Sequence, residues 1–376
     1  MSVNPSPELS RETIDRRRFV RTALLAGGLP AVASLPGCAA LFEALAGSCP
    51  DDPAESGGVD WTPDVLRPVF YGYRDYTAAD GAPATLRMFY PTYEGFTAGP
   101  PILKLCLVRW PVVLFLHGQP PCPLADYHRL WFLLPAVLAR CGYVVAVPSH
   151  AAAFPGEAGS PGETLALDVI DWVRDGWEHD RWVDKRPEAT AVAGHSYGAL
   201  LAARVAAARP SISAYVGLSG PFTEFGNPVP VLQGIGAPSF FMWATGNPIT
   251  GAFENLDGGG MWNQVPSPKA AAVHPGEHFD YISPTACGEP RGPCTLIQGV
   301  AADLAALFIT RYAPLASSTA SIPVDLEPPS VTLTPQQQFF AGAHLSGLSQ
   351  IATREGCDVD LRWQDGGASG SRQLGP

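Results

Sequence analysis

Residues 189–208 read ATAVAGHSYGALLAARVAAA, and this stretch decides the fold. A short apolar run ends at Gly194, Ser196 stands between two glycines, and an alanine-rich helical segment follows at once. In a chain this rich in glycine, composition alone would produce the spacing G-x-S-x-G roughly one time in four, so the spacing is weak by itself. Its setting carries the weight. A strand, a tight turn and a helix in immediate succession lift Ser196 onto the tip of a strained bend. Gly194 and Gly198 sit where a Cβ would collide with the neighbouring strand and helix. The start of the helix also favours negative charge developing above it. Ser196 is therefore the candidate nucleophile.

Working outward, residues 112–116 (VVLFL) and 143–147 (YVVAV) are wholly apolar, as expected of central strands buried on both faces. Further strands are predicted at 85–90, 189–193, 214–218, 239–243 and 270–273. Helical spacing of apolar residues predicts helices over 127–140, ending at Cys141-Gly142, and over 164–177, 199–208 and 298–312. This alternation implies an α/β protein with a doubly wound, mainly parallel sheet. Residues 313–335 are rich in Pro, Ser and Thr and read as a linker. The tail beyond carries a strand candidate at 357–363. About 40 residues are too few for a core of their own, so the tail is expected to lie back on the main domain.

Two further motifs flank the serine. His117-Gly118-Gln119 follows the strand at 112–116 directly. That position usually supplies one N–H of an oxyanion hole, and the residue after the nucleophile supplies the other. Pro120 and Pro121 have no N–H, which leaves Gln119 as the first donor and Tyr197 as the second. His117 is read as shaping the loop. Later, Glu277-His278-Phe279-Asp280-Tyr281 lies between the last central strand and the last long helix, where chain order places a general base. His278 is that base. His274, at the strand end, comes about one turn too early, and His195 is read as packing beside the bend. The histidines at 128, 150, 179 and 344 are read as surface or core residues.

The order nucleophile, acid, base puts the third member between them. Asp257 is the chosen acid, because Gly258, Gly259 and Gly260 allow a sharp turn that could aim its carboxylate inward. Glu254 in the same loop and Glu224 after the preceding strand are its rivals. At this point the segments GHSYGAL, LFLHG and GEHFDY resemble the α/β-hydrolase superfamily, over residues 65–312. Within it they look like the esterase and lipase branches that include chlorophyllase-like and platelet-activating-factor-acetylhydrolase-like enzymes. The resemblance implies a Ser-His-acid triad, an acyl-enzyme, hydrolysis of carboxylic esters including lipids and polyesters, and no cofactor. The acid motif Gly-x-x-Asp usual after the penultimate strand is absent, since Gly246 is followed by Asn247, Pro248 and Ile249. An acyltransferase, or a catalytically silent binding protein on the same fold, is the alternative. Trp243, Trp262, Phe222, Phe225 and Phe253 are candidates for an apolar acyl pocket.

The 376-residue chain carries a formal net charge of −11, with its Arg and Lys scattered beyond the N-terminus. No basic stripe is present, which argues against nucleic acid as a partner. Arg16-Arg17-Arg18-Phe19-Val20-Arg21 resembles the twin-arginine export signal of bacteria, and the apolar stretch 20–33 that follows is too short to span a bilayer. Leu35-Pro36-Gly37-Cys38 resembles a lipobox, with an unusual proline at its second place from the left. Two outcomes stay open from it: a membrane tether through Cys38, or a freely secreted chain. The expected organisation is an export signal at 1–37, a linker at 38–60, the catalytic domain at 61–312, and a linker with C-terminal extension at 313–376. Export permits disulfides among the eight cysteines. Cys287 and Cys294 bracket CGEPRGPC, a loop whose closure is worth about 2.5 kcal/mol in the chain-entropy account. Cys106 with Cys122 and Cys49 with Cys357 are weaker pairings, and Cys141 reads as a free thiol. No cysteine or histidine cluster has zinc spacing, so no structural metal is expected.

Overall fold

The computed structural model describes residues 70–92, 109–119, 126–131, 133–150, 159–221, 223–224, 227–228, 230–245, 265–266, 268–282, 297–313, 359–365 and 368–374. Its centre is a run of parallel strands: β3 (Val112–Leu116), β4 (Val144–Pro148), β5 (Thr190–His195), β6 (Ala214–Leu218), β9 (Ser239–Ala244) and β10 (Lys269–His274). Every residue of β3, β4, β5, β6 and β9 is buried, which is why these segments read as continuous apolar runs. A small hairpin, β7 (Thr223–Glu224) with β8 (Asn227–Pro228), stands apart between β6 and β9 in sequence.

Antiparallel strands close both edges. On one side β1 (Phe70–Tyr76) and β2 (Leu86–Thr92) form a hairpin, and β2 pairs with β4. On the other, β11 (Val359–Asp365) pairs with β10, and β12 (Ala368–Leu374) pairs with β11. Among the described residues the sheet has ten strands, in the order β1-β2-β4-β3-β5-β6-β9-β10-β11-β12. The C-terminal tail therefore contributes the last two strands of the main sheet.

Helices cover both faces. Helix α1 (Leu133–Arg140) lies against α4 (Ile297–Tyr312), and α2 (Pro161–Asp175) lies against α3 (Tyr197–Ala208). Alternate strand residues build the α1/α4 side of the core, among them Val113, Phe115, Val145, Val147, Ala191, Ala193, Phe240 and Met242. The helix expected over 127–140 is two pieces, a 3-10 turn at Tyr127–Leu130 and then α1. Pro135 explains the break. It has no N–H for a carbonyl one turn earlier, and proline is tolerated only in the first turn of a helix. Helix α2 begins earlier than its apolar spacing implies. The Ser160 hydroxyl accepts the Glu163 N–H at 3.4 Å, the Glu163 carboxylate accepts the Gly159 N–H at 2.9 Å, and Pro161 opens the first turn.

Strand order reverses direction between β3 and β5, because β4 was added on one side of β3 and β5 on the other. Ligand sites of open parallel sheets lie at the carboxyl ends of the strands flanking such a reversal. The chain leaves β3 into His117-Gly118-Gln119 and leaves β5 into Ser196, so both motifs emerge at that point.

Candidate active site

The bend at Ser196 is held by backbone contact. Ser196 has φ 55° and ψ −129°, a conformation that costs a non-glycine residue about 1–3 kcal/mol. Its N–H donates to the Leu218 carbonyl at 2.9 Å, extending the β5–β6 ladder by one bond, and its own carbonyl accepts the Ala199 N–H at 2.9 Å, which starts α3. A Cβ built on Gly194 would lie 2.3 Å from the Gly198 oxygen, and one on Gly198 would lie 2.1 Å from the Leu116 oxygen. Both glycines are thus demanded by close approach of main chains.

The loop after β3 touches the bend. A Cβ on Gly118 would sit 2.6 Å from the Ser196 Cβ. His117 is fully buried, stacks on His150 with ring centroids 4.0 Å apart, and meets Tyr127 edge-on. Burial pushes its imidazole down to about 4, so the ring is neutral at ordinary pH. Nε2 accepts the His150 N–H at 3.4 Å, which leaves the proton on Nδ1, and Nδ1 donates to the Gly118 carbonyl at 2.7 Å. The 118–119 peptide is planar and trans. Holding its carbonyl against His117 therefore turns the Gln119 N–H the opposite way. Gln119 is exposed, and Tyr197 is 39% exposed beside a buried Ser196.

His278 meets the serine. Its Nε2 lies 2.9 Å from Ser196 Oγ. Burial lowers the imidazole to about 4, so it is neutral and able to take a proton. If Nε2 accepts from the serine hydroxyl, the ring proton sits on Nδ1, and that nitrogen is buried without a hydrogen-bond partner among the described residues. The rival His274 is engaged elsewhere: its Nδ1 donates to the Pro275 carbonyl at 3.2 Å and its Nε2 accepts from the Tyr281 hydroxyl at 2.7 Å. His195 does more than fill space. Its Nε2 lies 2.8 Å from the main-chain oxygen of His278.

Asp257 and Glu254 lie outside the described residues, and of Glu224 only the backbone is described, in β7. Asp280 is close to His278 in sequence but its carboxylate accepts the Glu277 N–H at 2.7 Å. Of the aromatic pocket candidates, Trp243 is buried within β9 and not in a loop. Phe222, Phe225, Phe253 and Trp262 fall outside the described residues, as do Cys38 and all the proposed disulfide partners. Cys141, directly after α1, is half-buried. Among the described residues no cluster of three or more His, Cys, Asp or Glu could hold a metal ion, and no helix is long and apolar enough to cross a membrane.

Sequence reasoning overlooked the polar groups behind the site, namely His195 as a donor to the His278 carbonyl and the contact of Tyr281 with His274. The first has no mark in local spacing, because its partner lies 83 residues away; the second spans seven residues, from the end of β10 into the loop that follows.

Comparison with curated proteins returned no match. The model of the alpha/beta hydrolase family matches residues 113–350, a span running from β3 through the serine bend and the His278 loop. With that match over more than half its length, and with a strand–bend–helix serine at the reversal of a mainly parallel sheet, this chain belongs to the alpha/beta hydrolase family.

Proposed function

We propose that this chain is an exported serine hydrolase that cleaves carboxylic esters through an acyl-enzyme. The observation that carries the reading is the 2.9 Å contact between Ser196 Oγ and His278 Nε2, made at a bend whose φ of 55° brings the hydroxyl to the end of the sheet. In the reaction, neutral His278 takes the hydroxyl proton as Ser196 Oγ attacks the ester carbonyl. The carbonyl oxygen becomes an oxyanion between the N–H groups of Gln119 and Tyr197. His278 then gives its proton to the departing alkoxide, and water, activated by the same imidazole, releases the acid.

Asp257 is the proposed acid. A buried Nδ1–H without an acceptor is costly, and a carboxylate there both satisfies it and stabilises the imidazolium formed during attack. The chain between β9 and β10 is where the order nucleophile, acid, base places that carboxylate. The substrate class is an ester with an apolar acyl group, as in the chlorophyllase-like and platelet-activating-factor-acetylhydrolase-like branches. Residues 1–37 act as the export signal, 38–60 as a tether with Cys38 as lipid anchor, and 61–312 as the catalytic domain, whose sheet the extension at 359–374 completes.

Labelling of the purified chain by a fluorophosphonate, with loss of labelling in Ser196→Ala, tests the chemistry. A panel of p-nitrophenyl esters of increasing acyl length then ranks substrates. Absence of labelling in the wild type would overturn the reading.

A further inference from the structure

The base has a long way to come. His278 follows β10, and β10 is three strands from β5 in the sheet, roughly 14 Å at ordinary strand spacing. The loop leaving β10 must cross the ends of β9 and β6 and stop with Nε2 within hydrogen-bond reach of Ser196 Oγ. Turn bonds within the loop, Asp280 N–H to the Glu277 carbonyl and Ile282 N–H to the Phe279 carbonyl at 3.2 Å each, set its local shape. They do not set where it stops.

Two buried side chains do. At the end of β5, His195 Nε2 lies 2.8 Å from the His278 carbonyl oxygen, 83 residues away in sequence. A carbonyl only accepts, so the ring donates, and the neutral Nε2–H tautomer follows. The His195 ring is clamped between Trp131 and the His278 ring, at centroid distances of 4.8 and 4.7 Å. At the end of β6, Ser219 holds the strained φ of 44° while its N–H donates to the Met242 carbonyl at 2.6 Å. Its hydroxyl donates to the Tyr281 oxygen at 3.4 Å, and the Tyr281 hydroxyl donates to His274 Nε2 at 2.7 Å. Tyr281 thus ties the far side of the loop to β6 and back to the end of β10.

We infer that His195 and Tyr281 are positioning residues that register His278 against Ser196; this rests on the reading of Ser196 and His278 as nucleophile and base. His195 is the more direct of the two. It is the chain neighbour of Ser196, so the group that holds the base's main chain and the group that carries the nucleophile are one Cα step, about 3.8 Å, apart. Registration across the sheet is thereby reduced to a local distance. Packing alone does not account for histidine here. Its Nδ1 is buried with no hydrogen bond among the described residues, a cost that a phenyl ring of similar shape would avoid.

The test uses the full chain and the saturable inactivation of Ser196 by a fluorophosphonate, which separates the rate constant of attack from reagent affinity. His195→Phe keeps the ring and removes the donor. It should slow attack roughly 10- to 100-fold at unchanged affinity, the size expected for a misplacement near 1 Å. His195→Gln, whose amide can donate, should recover to within about fivefold of wild type. Tyr281→Phe breaks the chain to Ser219 and His274 and should slow attack roughly threefold to tenfold; it carries the test if neither His195 variant folds. Rates within twofold of wild type in His195→Phe and Tyr281→Phe, beside an inert Ser196→Ala, would overturn the positioning role alone. If Ser196→Ala is labelled as fast as wild type, the underlying assignment of the nucleophile fails instead.

Discussion

The two halves of the site are built by different forces. Around Ser196 the order is steric: the Gly194 and Gly198 main chains approach their neighbours so closely that a Cβ would lie 2.1–2.3 Å from a carbonyl oxygen. Around His278 the order is polar: a loop brought from β10 is held by hydrogen bonds among buried His195, Ser219, His274, Tyr281 and Asp280. Close contact between backbones is indifferent to pH and intolerant of one added carbon. A buried polar lattice accepts small changes of shape and responds to protonation. The proposed serine chemistry needs both, because a nucleophile at Ser196 tolerates strain while a base at His278 must exchange a proton at every turnover.

The largest effect should come from the proposed nucleophile. Ser196→Ala should reduce ester hydrolysis by roughly 10⁴-fold or more with folding retained, as read by steady-state rates beside a thermal melt. Activity within tenfold of wild type would remove Ser196 from the chemistry.

Next comes the steric half. Gly198→Ala places a methyl group 2.1 Å from the Leu116 oxygen, which neither backbone can relieve, and should cost about 4 kcal/mol or more of stability or prevent folding. Gly236, where a Cβ would meet nothing within 4 Å, is the control; Gly236→Ala should change stability by less than about 1 kcal/mol. Equal effects in denaturant unfolding would refute a steric origin for the bend.

The polar half is probed through the proposed acid. Asp257→Asn should lower turnover by roughly 10²- to 10⁴-fold. Hydrolysis should also rise with pH as His278 loses its proton. A carboxylate at Nδ1 raises the pKa of the imidazole, and burial alone sets it at about 4. Removing the carboxylate should therefore move the rising limb of the pH profile downward. If Glu254→Gln or Glu224→Gln shows both changes while Asp257→Asn shows neither, that glutamate is the acid.

The gentlest effect is on stability. His117, His128, His274 and His278 are pushed by burial from 6.5 to about 4, and His150 and His195 move in the same direction. Each binds a proton more readily unfolded than folded. Their contribution is complete above 6.5 and drains as pH falls from 6.5 toward 4. The melting temperature should decline across that interval; a flat profile would mean that burial leaves these rings free to titrate in place.

Much of the fold was legible because its cues are local. The parallel strands announce themselves as apolar runs, and β6 begins and ends where its sequence does. The edges were harder. Strand β12, ASGSRQL, has no apolar alternation of its own and exists because β11 offers a free edge for pairing. Strand β1 likewise takes its register from β2. The break before α1 could have been read from Pro135, since proline is confined to the first turn of a helix.

By itself the sequence determined the serine bend, since every constraint on it lies within Gly194-His195-Ser196-Tyr197-Gly198 and the strand and helix on either side. It also determined that a histidine after β10 would face that bend, because chain order through a parallel sheet sends each strand's exit to the same end. Only the tertiary structure decided how His278 is held there and what occupies His274. The first depends on a partner 83 positions away, His195; the second spans only seven residues, from His274 to Tyr281, but Tyr281 is itself held by Ser219 from 62 positions away. Hydrogen bonds of that span are made by the packing of strand ends, and no local spacing encodes them.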